Sequence, residues 1–232
     1  MTTPPPAPPP AGLRERKKQA TRTALREAAL RLAVERGPDQ VRVEDIAEAA
    51  GVSPRTYNNY FASREQAIVS AVTSDREVRI ASAVAARPAG VRLADAVTEA
   101  VVEQYTTTGE LEPRALLLIT ARTALREAFL DTTAGIEAPL TAVIAERLGD
   151  TGVHTARVLA ASVAVAVRIA LEGWLRPTGT AGTAEAAEAA ESAGTLGTGG
   201  LVVPTGALPD QLRAALAPLA PAFDAAERGA RP

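Results

Sequence analysis

Between positions 53 and 61 the chain reads SPRTYNNYF, which places a guanidinium (Arg55), a hydroxyl (Thr56) and two carboxamides (Asn58 and Asn59) within five residues. These groups suit the edges of base pairs in a DNA major groove, where arginine matches guanine and asparagine matches adenine. Tyr57, Tyr60 and Arg64 flank them with hydroxyls and a guanidinium able to hold phosphates. The same polar set would also serve as the solvent face of an ordinary helical hairpin, so the surrounding chain has to decide. Upstream, Arg14, Arg16, Lys17, Lys18, Arg22 and Arg26 stand against Glu15 alone, a run suited to a polyanion, and Lys18 and Arg22 are its candidate phosphate contacts. The net charge of −2 hides this division: residues 1–64 carry 11 Lys/Arg and 7 Asp/Glu, leaving 14 and 20 for the remainder.

Local rules predict the elements that would hold these groups. A first helix spans 13–36, with Leu25, Ala29 and Leu32 on one apolar stripe and Gly37-Pro38 as its stop. A short second helix runs from Val43 to about Ala50, followed by Gly51, which can take φ > 0. Ser53 caps a third helix with Pro54 at its first position, ending near Tyr60. Two short helices joined by a Gly-Val-Ser turn have the spacing of a helix-turn-helix, packed through Ile46, Ala47, Val52 and Tyr57. Ser63-Arg64-Glu65-Gln66 reads as a capping box opening a fourth helix that extends to about Ala86.

Beyond position 90, long amphipathic stretches (91–107, 113–131, 135–148 and 152–175) show no strand alternation, and few aromatics with abundant alanine complete an all-α expectation. The expected architecture is a three-helix head with a helix-turn-helix (13–63) and a helical-bundle body for ligand binding and dimerisation (64–228). A proline-rich tail (1–12) is expected to be disordered, and 177–206, rich in Gly, Thr and Ala, reads as a flexible loop. Leu212, Leu216 and Leu219 point to one short terminal helix docked on the bundle.

Arg122, Arg126 and Arg168 interrupt apolar segments and could anchor an anionic group, although a salt bridge with Glu127, Glu172 or another carboxylate is the plainer reading. Candidate ligand-binding residues are Leu118, Arg122, Leu125, Phe129, Val167 and Trp174. Ala160, Ala161, Ala164, Ala166 and Ala170 would permit close helix approach at a dimer interface. No cysteine is present and His154 is the one histidine, so no thiol chemistry or metal site is expected. No nucleophile elbow, phosphate-binding glycine loop or paired acids argue for catalysis, and no cofactor is implied. No apolar run approaches the roughly 20 residues of a bilayer span, so no membrane partner and a cytoplasmic location are expected.

The string DIAEAAGVSPRTYNNYFASREQAI resembles the TetR family of bacterial transcriptional regulators, most strongly over residues 20–70. The resemblance implies a DNA-binding head, a fourth helix leading to an all-α ligand-binding body, and repression tuned by a small molecule. By position it makes Ser53, Arg55, Thr56, Tyr57, Asn58 and Tyr60 the recognition helix and Arg64 a phosphate contact. The sequence departs from the family at Arg42, where Thr or Ser commonly caps the second helix; arginine can pair with phosphate but cannot cap. Over 114–176, the strings IAERLG and ARVLAASVAVAVRIALEGWL are similar to bodies of the mycofactocin-regulator type, some acyl-coenzyme A responsive. The implied partners are a palindromic double-stranded operator, a second copy of the chain, and a small apolar ligand such as an acyl-coenzyme A. The rival expectation is a helical small-molecule binding protein or enzyme with no DNA role.

Overall fold

The computed structural model describes residues 11–73, 75–106, 119–120, 122–149, 153–175 and 207–230, and every regular element among them is helical. The chain divides into two compact units between Val72 and Thr73.

The first unit contains α1 (Ala11–Arg36), α2 (Val43–Ala49), α3 (Pro54–Tyr57) and α4 (Arg64–Val72). Helix α1 begins at Ala11, two residues before the expected start, while residues 1–10 of the proline tract lie outside the described residues. Its stripe of Leu25, Ala28, Ala29 and Leu32 is buried, and α1 packs against α4 and α2. Helix α4 contributes Ala67, Ile68, Val69 and Val72 to that core. It therefore belongs to the head, and the compact unit runs past the boundary expected at 63.

The fourth helix does not continue to Ala86. Thr73, Ser74 and Asp75 are consecutive short polar residues of the kind that compete with helical hydrogen bonds. Asp75 takes φ 57°, a left-handed conformation that aspartate tolerates better than most residues, and α5 (Arg76–Ala85) starts afresh after it.

The second unit comprises α5, α6 (Leu93–Thr106), α7 (Thr123–Asp131), a 3₁₀ turn (Thr132–Ile136), α8 (Glu137–Leu148), α9 (Val153–Trp174), α10 (Leu208–Leu216), a second 3₁₀ turn (Ala217–Leu219) and α11 (Ala220–Ala230). Helix α9 is central, packing on α8, α10 and the 132–136 turn, while α5 lies against α6 and α8. Arg147 pins the end of α8 by donating to the carbonyls of Arg87 (3.1 Å) and Val91 (2.8 Å). The terminal segment forms two helices where one was expected, because Pro218 falls in the 3₁₀ turn and Pro221 in the first turn of α11, where a missing N–H costs nothing. The expected loop 177–206 lies outside the described residues.

Helix α9 qualifies by length and composition, with mean hydropathy 1.5, as a helix able to cross a membrane. Counting uninterrupted apolar runs misses it, because Arg157 and Arg168 break the sequence. Its inner face, including Leu159, Val163, Val167 and Leu171, is core of the second unit. Its outer face leaves Val158, Val165 and Ile169 exposed.

Candidate nucleic-acid interface

Helix α3 has only four residues and depends on its surroundings for shape. Ser53 accepts a hydrogen bond from the Thr56 N–H at 3.1 Å, with its hydroxyl 2.9 Å from that of Thr56. Pro54 supplies the preset first position. The turn from α2 closes through Val52 N–H donating to Ala47 O at 2.9 Å, which requires φ 69° at Gly51. Past Tyr57 the bonding tightens: Asn59 donates to Thr56 O and Tyr60 to Tyr57 O. The regular helix thus ends three residues before the expected limit at Tyr60, although the chain keeps turning.

Tyr57 is fully buried, with its ring centroid 5.8 Å from that of Phe61 and its hydroxyl donating to Ser63 O at 2.8 Å. Burial, reinforced by the charge of Glu65, pushes its phenol above the ordinary range, so the hydroxyl stays protonated. Of the two expectations for Tyr57, packing within the corner agrees with this burial and contact with DNA does not: it is the peg that seats α3. Because Tyr57 points inward, the residues on either side point out. Arg55, Asn58 and Asn59 are exposed, and Thr56 and Tyr60 are half-buried.

Arg64 also departs from expectation. Its Nε lies 2.7 Å from Glu65 Oε1, and its Nη1 donates to the carbonyls of Asp39 (3.1 Å) and Val41 (2.9 Å). The phosphate role expected of it is replaced in this geometry by a brace between α4 and the segment before α2. Burial raises the Glu65 carboxyl, but hydrogen bonds and charge from Arg64, with help from its own backbone and Ser63, hold it below the usual carboxylate range. The Ser63 box forms in altered register: Gln66 N–H donates to Ser63 Oγ at 3.1 Å, while the Gln66 carboxamide reaches back to the Ala62 N–H at 2.7 Å.

Arg42 stands exposed at the start of α2, and the cap it cannot give is supplied in reverse, its own N–H donating to Asp45 Oδ2 at 3.0 Å. Lys18 and Arg22 are exposed on α1, and the Arg22 guanidinium carbon sits 5.7 Å from the centroid of the Phe61 ring. Arg26 is 8% exposed and drops out of the surface run. An open cleft of about 810 Å³ runs between α1 and the α3 turn, lined by Arg14, Lys17, Lys18, Thr21, Asn59 and Tyr60, with Glu15 and Thr56. The structure thus brings Lys18, Thr56 and Tyr60 together. Arg14 and Lys17, named in the sequence only as part of the basic run, and Thr21, not named there, were detectable as one face: 14, 17, 18 and 21 follow the i, i+3, i+4, i+7 rule.

In the second unit, Leu125, Phe129, Val167 and Trp174 are buried, Arg122 is exposed at the start of α7, and Leu118 lies outside the described residues. Arg168 makes the salt bridges judged the plainer reading, to Glu172 (2.8 Å) and Asp131 (2.9 Å). Arg76 is the guanidinium that this unit buries among its described residues, with its central carbon 4.5 Å from the Tyr105 ring centroid and 6.0 Å from that of Phe129. Nothing in its sequence context distinguishes it from its exposed neighbours.

A two-helix corner that seats its second helix on an inward tyrosine and turns Arg, Thr and Asn outward is the head of a helix-turn-helix protein. Residues 25–71 match the family of bacterial regulatory proteins, tetR family. The chain is 35% identical over 147 residues to the HTH-type transcriptional regulator TcmR of Streptomyces glaucescens, an alignment covering 60% of this chain and 65% of that relative. Residues 25–71 thus resemble the DNA-binding head of the tetR family, and the chain spans just under two thirds of the length of the curated relative it matches.

Proposed function

We propose that this chain is a sequence-specific DNA-binding transcriptional regulator, a cytoplasmic repressor of TetR type that binds a palindromic operator as a homodimer. The observation that carries the reading is the pairing of a fully buried Tyr57 with exposed Arg55 and Asn58 on either side of it. Arg55, Thr56 and Asn58 read base edges; Ser53 and Tyr60 border them, and Lys18, Arg22 and Arg42 approach phosphates. One α3 reads too few base pairs for specificity, so two copies related by a two-fold axis share a palindrome.

The outer face of α9 supports that partner. Val158, Ala161, Val165 and Ile169 lie along it beside Ala215 and Leu219, and together they line an open apolar groove of about 520 Å³. A second copy is the occupant proposed for it. A small apolar ligand, of which an acyl-coenzyme A is one candidate, is proposed to enter the body near Leu125, Phe129, Val167 and Trp174 and to change operator affinity. A coupling of about 1–3 kcal/mol would alter it roughly 5–150-fold.

The test is titration of the full chain with duplexes from its own promoter region, followed by fluorescence anisotropy at several salt concentrations. A DNA reader gives a steep negative dependence of log K on log salt. Arg55→Ala should cost about 1–3 kcal/mol and relax preference at one base position. A chain that forms no salt-sensitive complex with any duplex would overturn the reading in favour of a small-molecule binding protein.

A further inference from the structure

The family match begins at residue 25, yet the cleft beside α3 is walled mainly by residues 14–21 of α1. Arg14, Lys17, Lys18 and Thr21 form a single face, spanning about 10 Å of helix at 1.5 Å per residue. Arg14, Lys17 and Lys18 enter no ion pair among the described residues, and Glu15 is the one carboxylate lining the cleft. The opposite wall is Thr56, Asn59 and Tyr60, hydroxyls and a carboxamide without formal charge. A trough with three cations on one side and neutral hydrogen-bonding groups on the other suits a chain of phosphodiesters better than a compact anion. Phosphates recur every 3.4 Å of duplex axis on each strand, so a face of this length meets two or three of them.

The geometry points to the first turns of α1 as a sequence-independent clamp: Arg14, Lys17 and Lys18 hold the phosphate strand beside the bases that α3 reads, with Tyr60 and Asn59 closing the other side. This deepens the proposed DNA-binding reading and rests on it. The division of labour is specific. Arg55 and Asn58 set which sequence is preferred, whereas the clamp sets how tightly any duplex is held.

The experiment compares the full chain with the triple variant Arg14→Gln, Lys17→Gln, Lys18→Gln. Glutamine keeps the helix propensity of an exposed helical position. Affinity is measured on an operator duplex and on a scrambled duplex between 50 and 200 mM salt. Losing two or three phosphate contacts flattens the log–log slope by about 2–3 per bound protomer, so the wild type should lose about 10- to 40-fold more affinity over that range than the variant for each protomer bound, and about the square of that factor for a dimer. The operator-to-scrambled ratio should stay constant, and the conservative pair Lys17→Arg, Lys18→Arg should keep the wild-type slope. A triple variant with an unchanged slope overturns the clamp while leaving the recognition reading intact. A loss confined to the operator also overturns it, since the face would then read bases. A wild-type chain that binds neither duplex overturns both readings together.

Discussion

Replacing Arg64 separates a brace from a phosphate contact, because the two roles respond oppositely to lysine. The guanidinium forks: Nε takes Glu65 at 2.7 Å and Nη1 takes the carbonyls of Asp39 and Val41 at 3.1 and 2.9 Å. Hydrogen bonds from a charged group contribute about 1.5–3 kcal/mol each when buried. The Arg64 side chain is 33% exposed, so its attraction to Glu65 counts for at most about 1 kcal/mol, and water can partly replace it at the two carbonyls. Arg64→Ala should therefore cost about 2–4 kcal/mol, a fall in Tm of about 5–15 °C for a chain of this size. Arg64→Lys should recover little of that, since a single ammonium cannot span three acceptors in a fixed fork. The assay pairs thermal melts of the full chain with DNA titrations well below the transition. A brace predicts lowered Tm in both variants and an unchanged salt slope. If Arg64→Ala instead melts like wild type while its slope flattens by about 0.9, the guanidinium works on phosphate and the inward geometry has been misread.

Three further outcomes follow from the same contacts. Tyr57→Phe should destabilise by about 0.5–1.5 kcal/mol through the lost bond to Ser63 O, and Tyr57→Ala by about 3–5 kcal/mol through the emptied core, both read from urea midpoints; normal stability with lost DNA affinity would return the hydroxyl to the interface. Because the folded state lowers the Glu65 pKa, its contribution is present above the unfolded value of about 4.3 and disappears as pH falls through the folded one. The stability gap between wild type and Glu65→Gln should accordingly narrow as pH falls below about 4.3, and a gap that does not narrow with falling pH would exclude this pairing as its source. Ile169→Lys, at a side chain 58% exposed, should convert a dimer to a folded monomer in sedimentation velocity, and a dimer that survives would move the interface off α9.

The parts of the head that were legible in the sequence are those fixed by neighbouring residues. Ser53-Pro54 announces a helix start through the hydroxyl cap and preset φ, Gly51 the positive φ of the turn, and Leu25, Ala29 and Leu32 the buried stripe. Direction was legible only in part: Tyr57 read both as corner packing and as a phosphate contact, and Arg64 as a phosphate contact, because their types suit a phosphate and a buried carbonyl equally. What decides between these is the Ser63 carbonyl for one and the Asp39–Val41 segment for the other, the second being distant in sequence. The break after Val72 was missed for a related reason: Ser and Thr weaken a helix without forbidding it, and only the left-handed Asp75 settles the matter. In the body, amphipathic, alanine-rich stretches without strand alternation pointed to the fold class, but Arg76 lies buried and Arg122 exposed through packing alone.

That packing also bears on how a four-residue helix could discriminate sequence in the DNA-binding role proposed for it. An isolated turn of helix is far below the length at which helices persist in water. Left alone, Arg55 and Asn58 would have to be ordered at the moment of binding, at about 0.5–1.5 kcal/mol per side chain in addition to the backbone. Here the backbone cost is met during folding: Ser53 fixes one end of α3, Tyr57 is locked against Phe61 and Ser63, and Arg64 ties the following helix to the chain before α2. In the proposed role, DNA would then meet a surface already in place. Destabilising substitutions at Tyr57 should consequently weaken operator and random duplexes by the same factor, set by the fraction of heads still folded, whereas Arg55→Ala should weaken the operator alone. The ratio of the two affinities, measured in one buffer, therefore reports whether a residue reads DNA or merely holds the reader steady.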